Sequence, residues 1–186
     1  MARFEDLFLR AKETEADATA AALGTADATG APSVRMVLLK DVDGSGFVFF
    51  TNYESRKARE LEVNPRAALC FHWRTVGAQV RVEGQVERLG AAESDAYFAT
   101  RPRDSQLGAW ASEQSAPLRS RAELMLRVAA AVARFAGRDV PRPETWGGYR
   151  LRPERIEFWT EHAFRLHDRE LYTRVGEGWD AERLFP

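Results

Sequence analysis

Residues 33–57 read SVRMVLLKDVDGSGFVFFTNYESRK. Two runs rich in β-branched and aromatic residues, 33–40 and 47–50, flank an Asp/Gly/Ser turn, the sequence signature of a β-hairpin. Arg35 and Lys40 bracket the first run; Thr51, Ser55, Arg56 and Lys57 follow the second. Cations and hydroxyls at a hairpin mouth suit a phosphate ester: Arg grips phosphate as a fork, Lys acts as a point charge, and the hydroxyls donate. Lysine occurs only at positions 12, 40 and 57 in a chain that otherwise writes arginine. Two of the three therefore fall in this hairpin. On the hairpin alone, the plainer reading of two solvated surface lysines is preferred.

The chain of 186 residues has the size of one domain with a full core. Its 45% hydrophobic and 30% charged residues are those of an ordinary soluble protein. A net charge of -1 gives no bulk attraction for nucleic acid, so any anion site has to be a local cluster. The single cysteine, Cys70, excludes an internal disulfide and fits a reducing compartment. Arg3, Glu5 and Asp6 precede a short apolar run, which is no signal peptide, and no run approaches the ~20 apolar residues of a membrane span. The expectation is a cytoplasmic protein.

Phe4, Leu7, Phe8 and Ala11 share one face of a helix predicted over 4–20. A weak strand over 21–28 ends in the turn 29–32. Ser55 is placed to cap a short helix over 56–63 that stops at Asn64–Pro65, and its free N–H groups add to the cationic cluster. Residues 67–73 read as a strand with Leu69, Phe71 and Trp73 on one face. Residues 79–89 alternate Val80, Val82 and Val86 against charged and amide neighbours. Helices are predicted over 91–100 and 119–137, the second with the stripe Leu118, Ala122, Met125, Ala129, Val132 and Phe135 and a stop at Gly137. Strands over 149–160 and 165–172 lead to a last hairpin turning at 176–178. Seven or so strands without βαβ alternation predict a mainly β, α+β fold: an antiparallel barrel with helices packed outside it. No linker divides the chain, so 1–186 reads as a single domain.

Two further clusters carry chemistry. Tyr97, Arg101 and Ser105 put a phenol, a guanidinium and a hydroxyl on a helix end and the loop after it, all able to donate to phosphate. In a strand over 165–172, Arg165, His167 and Arg169 share one face, an arrangement that calls for an anion. The alternatives are a solvated helix end for the first and Asp or Glu partners for the second. His72 reads as structural, His162 as solvated, and Cys70 as a small core residue. Three histidines and one cysteine without ligand spacing make no zinc site, and no Gly-rich dinucleotide fingerprint follows a strand.

These residues resemble the pyridoxine (pyridoxamine) 5′-phosphate oxidase family. The likeness runs from about Leu7 to Pro186. It is carried by RMVLLK (35–40), FFTN with SRK (49–52, 55–57), RPRDSQLGAW (101–110), SEQS (112–115), IEFW (156–159), RLHDR (165–169) and the terminal RLFP. It implies a Greek-key split β-barrel homodimer with two FMN sites at the subunit interface. By position, FMN phosphate and ribityl contacts fall to Arg35, Thr51, Arg56, Lys57, Gln114 and Ser115. Backbone or ring contacts fall to Met36, Val37, Leu38, Gln79, Trp159 and Arg169. Lys40, Tyr97, Arg101 and Ser105 fall to the substrate phosphate, with Lys40 close to the flavin as well, and Arg165 and His167 lie over the substrate ring in the catalytic role. The implied reaction is hydride transfer from the 4′-carbon of a phosphorylated B6 vitamer, amine or alcohol, to the flavin, with O2 reduced to H2O2.

The chain departs from the family's pattern in places. Phe50 stands where relatives often carry Tyr, which keeps backbone contacts to the cofactor and loses a hydroxyl. The segment TEHAF (160–164) replaces a Gly-containing turn, and a longer N-terminal arm has no counterpart. Two other readings stay open. A phenazine-biosynthesis oxidase would share the flavin motifs and tend to lose the substrate-phosphate set. A non-enzymatic flavin- or haem-binding split barrel would have no use for Arg165 and His167.

Overall fold

The structure is a computed structural model that describes residues 1–186. In chain order it contains α1 (Ala2–Thr14), β1 (Ala20–Ala26), β2 (Pro32–Leu38), β3 (Asp41–Asp43), β4 (Gly46–Asn52), α2 (Arg56–Val63), β5 (Arg66–Trp73) and β6 (Ala78–Arg88). Then come α3 (Ala91–Thr100), α4 (Arg103–Ala111), α5 (Arg121–Arg134), β7 (Trp146–Thr160), a 3-10 turn (Ala163–Arg165), β8 (Asp168–Val175) and β9 (Gly178–Leu184). The strands form one antiparallel sheet in the order β2-β1-β5-β6-β7-β4-β3, and β8 and β9 extend it from β7.

β7 creates the split. Along one side it pairs with β6 from Tyr149 to Thr160; along the other it pairs first with β4 (Trp146–Leu151) and then with β8 (Arg155–Thr160). Pro153, which has no N–H to give to a ladder, lies between the two partners. Opposite it, β6 shifts register at Glu83/Gly84, and a Cβ on Gly84 would sit 1.9 Å from the Arg152 carbonyl oxygen.

Period-two alternation sends Leu69, Phe71 and Trp73 of β5 and Val80 and Val82 of β6 into a core that also takes Leu23, Phe47, Phe49 and Leu151. α1 closes one end. Phe4, fully buried, meets Phe47 edge-on at 4.8 Å and Phe71 at 5.2 Å, and Phe8 stacks on Trp73. A smaller cluster of Phe98, Leu107, Ala131, Phe135, Val140 and Trp146 packs α3 to α5 outside the barrel.

Several expectations are corrected. The run 33–40 does not form a hairpin with 47–50; only its last residue, Lys40, bonds there, through its N–H to the Val48 carbonyl. β2 pairs with β1 over seven residues through a turn in which Asp27 Oδ1 accepts the N–H groups of Thr29 and Ala31 and Gly30 takes φ +84°. The hairpin is the shorter β3–β4, turned where Asp43 Oδ1 accepts from Ser45 and Gly46. α1 ends at Thr14 because Asp17 Oδ1 takes the Thr19 N–H at 2.9 Å, a local turn that competes with helix. Ser105 lies on a helix instead of a loop: Pro102 ends α3 and its carbonyl then accepts from Ser105 and Gln106 to start α4. α5 is shorter than 119–137 and shows much of its predicted stripe to solvent, Met125 at 52% and Val132 at 48%. Arg165 sits in the 3-10 turn with φ +60°, and the last strand pair begins at Asp168, so Arg165, His167 and Arg169 do not share a strand face. Cys70 faces away from the core, partly buried, and the strands number nine.

Because four aromatic rings surround Phe4, Phe4→Ala should cost about 3–5 kcal/mol of stability. Chemical denaturation measures this, and a loss under about 1 kcal/mol would show that α1 does not seal the core.

Candidate active site

The largest cavity, about 620 Å³, opens between the end of β2, β4 and the α3–α4 junction. Lys40, Tyr97, Arg101 and Ser105 all line it, from three separate segments of chain. Lys40 is fixed by its backbone N–H, which donates to the Val48 carbonyl at 2.8 Å. Tyr97 and Arg101 leave the same face of α3 four residues apart, and Ser105 stands in the first turn of α4. Arg101 has no carboxylate partner, its Nη1 is buried without a hydrogen bond, and burial pushes its pKa below the usual guanidinium value against the pull of Tyr97. Leu38, Phe50, Thr51 and Gln114 complete the walls used below. The Phe50 ring stacks on Tyr97 at 4.0 Å and 16°.

Behind this wall lies the cationic cluster. Ser55 caps α2 by accepting the Ala58 N–H, which seats Lys57 in a buried position. Lys57 Nζ donates to Thr51 Oγ1 at 3.0 Å, Gln114 Oε1 at 3.0 Å and Ser55 Oγ at 3.3 Å, all neutral acceptors. Burial, with the Arg35 charge adding to it, lowers the Lys57 pKa to about 8. Ser115 follows Gln114 with φ +72°. Arg35 and Arg56 converge on Glu60, whose Oε2 lies 3.2 Å from Arg35 and Oε1 2.8 Å from Arg56. Arg35 also donates to Ser33, Thr25 and the Leu23 carbonyl, so its guanidinium is largely committed inside the fold, whereas Arg56 keeps an exposed outer edge. Burial alone would raise the Glu60 carboxyl, but hydrogen bonds from Ser33, Thr25, Arg56 and Arg35 bring it down to about 2. Val37 points into the core and has only its backbone to offer; Met36 and Leu38 point outward and are exposed.

A second group assembles on the outer face of the sheet. Gln79 pairs with Trp159, Trp159 with Arg169, and the His167 ring lies 4.5 Å from that of Trp159. Arg169 binds Glu157 at 2.9 and 3.2 Å and the Phe185 carbonyl at 3.0 Å. Two of its donors are thus held by a buried carboxylate that Arg81 also binds. The His162 N–H donates to His167 Nδ1 at 3.2 Å, and Arg165 is exposed. Of these residues, His167 and Arg169 line a separate cavity of about 210 Å³ that shares no residue with the first. Within one chain, then, Gln79, Trp159, Arg165, His167 and Arg169 do not join Lys40, Tyr97, Arg101 and Ser105.

Residues missed by sequence reasoning include Trp146 in the first cavity and the carboxylates Glu60 and Glu157 that hold arginines. Glu60 carried a readable signal, standing four residues after Arg56 on a predicted helix. Trp146 and Glu157 carried none.

Residues 10–135 match the family model described as pyridoxamine 5′-phosphate oxidase. The chain belongs to this family. Residues 146–186 match a second model, the pyridoxine 5′-phosphate oxidase C-terminal dimerisation region, so the chain carries the family's dimerisation segment. It is 60% identical over 187 residues to the pyridoxine/pyridoxamine 5′-phosphate oxidase of Anaeromyxobacter dehalogenans, covering all of this chain and 94% of that protein. It is 62% identical over 164 residues to the Rubrobacter xylanophilus protein of the same name, covering 88% and 76%. Among solved structures, PhzG from Burkholderia lata in complex with tetrahydrophenazine-1-carboxylic acid superposes with a TM-score of 0.94 at 33% identity, covering all of this chain and 91% of that one. A pyridoxamine 5′-phosphate oxidase-related, FMN-binding protein from Nostoc punctiforme shares the fold, with a TM-score of 0.80 at 16% identity over all of this chain and 96% of that one. These likenesses establish the split barrel.

Glu60 holds two arginines through charged hydrogen bonds, so Glu60→Gln should cost about 1.5–3 kcal/mol at pH 7. Its carboxyl is depressed in the fold, so this contribution is present above the ordinary carboxyl pKa of 4.5 and fades as pH falls toward about 2. Urea denaturation of both forms at pH 7 and at pH 3 checks this: the gap should narrow in acid, and a gap that widened would overturn the assignment.

Proposed function

We propose that the chain is an FMN-dependent oxidase converting pyridoxamine 5′-phosphate and pyridoxine 5′-phosphate to pyridoxal 5′-phosphate. The carrying observation is the convergence of Lys40, Tyr97, Arg101 and Ser105 on one cavity, with Arg101 lacking any carboxylate partner. Two cations and two hydroxyls around an open volume fit a phosphate monoester. The same quartet weighs against the phenazine alternative, whose bound ligand in the Burkholderia complex is named as a carboxylic acid.

The residues fit FMN as well. Lys57 is a buried ammonium held only by neutral oxygens, which makes it a site for an anion. Lys57, Thr51, Arg56, Gln114 and Ser115 would hold the phosphate and ribityl chain, with Arg35 lending its charge from behind. The backbone of Met36, Val37, Leu38 and Phe50, with Lys40 beside them, would meet the ring system. Bound FMN would supply the electron acceptor for oxidation at the substrate's 4′-carbon and hand the electrons to O2.

The active unit on this reading is a homodimer with two FMN sites at its interface. Gln79, Trp159 and Arg169 of the partner subunit would complete the flavin site, and Arg165 and His167 of the partner subunit would cover the substrate ring. Two separate half-sites in one chain support it. Holding the phosphate with four groups gives remote binding energy to fix the reacting carbon, while Arg165 and His167 orient the ring and stabilise charge there. The remaining chemistry belongs to the cofactor. No helix is long and apolar enough to cross a membrane. With one cysteine and an unremarkable charge, we assign the protein to the cytoplasm and read 1–186 as one FMN-binding unit.

The test is optical. Purified protein should be yellow and bleach under anaerobic pyridoxamine 5′-phosphate, with peroxide released on admitting air. Arg101→Ala should keep its flavin yet lose roughly ten- to a hundredfold in kcat/KM for the phosphorylated substrate, the value of one charged hydrogen bond. Unphosphorylated pyridoxamine should not distinguish the variant from wild type; equal losses on both substrates would remove Arg101 from the phosphate site.

Without a ligand anion beside it, Lys57 loses its proton near pH 8, and a bound phosphate favours the protonated form. FMN affinity should therefore fall as pH rises above about 8, by up to tenfold per unit, and also below about pH 6, where the phosphate takes up its second proton. Flavin fluorescence quenching across pH 5–10 reads this directly. In Lys57→Met the alkaline limb should vanish; a limb that persisted would place the titration elsewhere.

A further inference from the structure

Arg101 is a cation held in place by rings. Its Cζ lies 4.5 Å from the ring centroid of Trp146 and 5.5 Å from that of Phe98. The two rings meet edge to face at 5.1 Å and 69°, and both are buried, Phe98 at 1% exposure and Trp146 at 7%. Trp146 is itself pinned by main chain. Its N–H donates to the Pro143 carbonyl at 3.0 Å, its own carbonyl accepts from Arg142 Nη1 at 2.6 Å, and it pairs with Asn52 across β4–β7. The indole also stacks on Phe50 at 5.3 Å and 10°, and Phe50 stacks on Tyr97. One aromatic slab therefore touches two of the four groups that converge on the cavity.

We propose that Trp146 is a positioning residue for substrate phosphate: its indole face, with the Phe98 ring, fixes the Arg101 guanidinium at the cavity wall while leaving its charge and N–H donors for the ligand. The inference rests on the phosphate reading of the cavity. Its physical basis is the contrast with Glu60. A carboxylate fixes an arginine by occupying a donor and offsetting its charge, as Glu60 does with one donor each of Arg35 and Arg56. A ring face attracts the same cation through its quadrupole and takes no donor. The unpartnered Arg101 Nη1 is the visible result. An anion that has to bind and leave in each turnover is better met by a cation that is held yet not neutralised.

The experiment is a double-mutant cycle on FMN-loaded protein with Trp146→Leu, Arg101→Ala and the pair, and Trp146→Phe as the conservative form. Trp146→Leu should raise KM for pyridoxamine 5′-phosphate by about tenfold, with kcat changed less than about threefold and flavin content intact; Trp146→Phe should recover most of the loss. In the Arg101→Ala background, Trp146→Leu should change KM by less than about twofold. The same multiplicative loss in both backgrounds, or a loss shared between kcat, flavin content and thermal stability, would show a purely structural tryptophan and overturn the proposal. Should Trp146→Leu fail to fold, the cycle run with Trp146→Phe decides in the same way, by whether its smaller effect needs Arg101. Calorimetric titration of pyridoxamine 5′-phosphate into the same proteins separates the two readings. Coupled binding without turnover would overturn the oxidase reading alone, and turnover without coupling would overturn the positioning role alone.

Discussion

The backbone N–H of Lys40 donates to the carbonyl of Val48, and that of Leu39 to the carbonyl of Thr19, both at 2.8 Å. These bonds lie where the chain leaves β2, at one edge of the sheet, and enters β3 and β4, at the other. Closing the sheet on itself there brings Leu38 and Lys40 beside Phe50 and Thr51, although the strand order places β4 five strands from β2. The cavity exists because of this seam. Of its other walls, α3 packs on β7 and α4 joins it through the cluster of Phe98, Leu107 and Trp146, so the depth of the site depends on the pairing of β4 with the first half of that strand.

Around the seam the chain manages its cations in three ways. Arg35 and Arg56 share the buried Glu60, which makes them structural as well as electropositive. Lys57 is held by hydroxyl and amide oxygens, so its charge is uncompensated and its proton loosely bound. Arg101 rests on aromatic faces. The sequence of environments runs from neutralised to free. A buried charge without a counter-ion is costly, and the two places where the fold accepts that cost mark where phosphates are proposed to bind.

Features set by local period were legible without coordinates. The alternation of β5 and β6, the Ser55 cap, and the end of α3 at Arg101–Pro102 all follow from neighbours within four residues. So did the grouping of Tyr97 with Arg101 and Ser105, and the family motifs extended it to Lys40. What the chain did not disclose is which edge takes which strand. The 33–40 run is equally good partner material for β1 and β4, and a two-residue tight turn at neither end decides it. α4 was missed because its nine residues show little amphipathic contrast between Pro102 and Ser112. The Arg165–Arg169 segment alternates like a strand but bends through two successive residues of positive φ, Phe164 and Arg165, which no local pattern announces. Cys70 alternates with large apolar residues, and alternation by itself does not say which set faces in.

The outer face of the sheet gives the proposed dimer a physical basis. Cross-strand partners line up in one row: Met36, Ala22, Cys70, Arg81, Glu157 and Leu171. At the β2 end the neighbours Val34, Met36 and Leu38 are exposed at 72%, 63% and 41%, a run of apolar surface that a lone barrel leaves in water. Next to it, β1 and β5 present Ala22, Gly24 and Ala68, residues small enough for another backbone to approach closely. Farther along come Trp159, His167 and Arg169, the half-site that has no place in its own chain's large cavity. In the proposed dimer, a twofold axis through a face that is apolar at one end and carries a half-site at the other would set each half-site against the other copy, because an isologous contact pairs unlike ends. Assembly and ligand binding would then be one equilibrium: a flavin gripped by both copies would stabilise the dimer by mass action, and a chain that could not pair would have only half of the groups proposed to hold it.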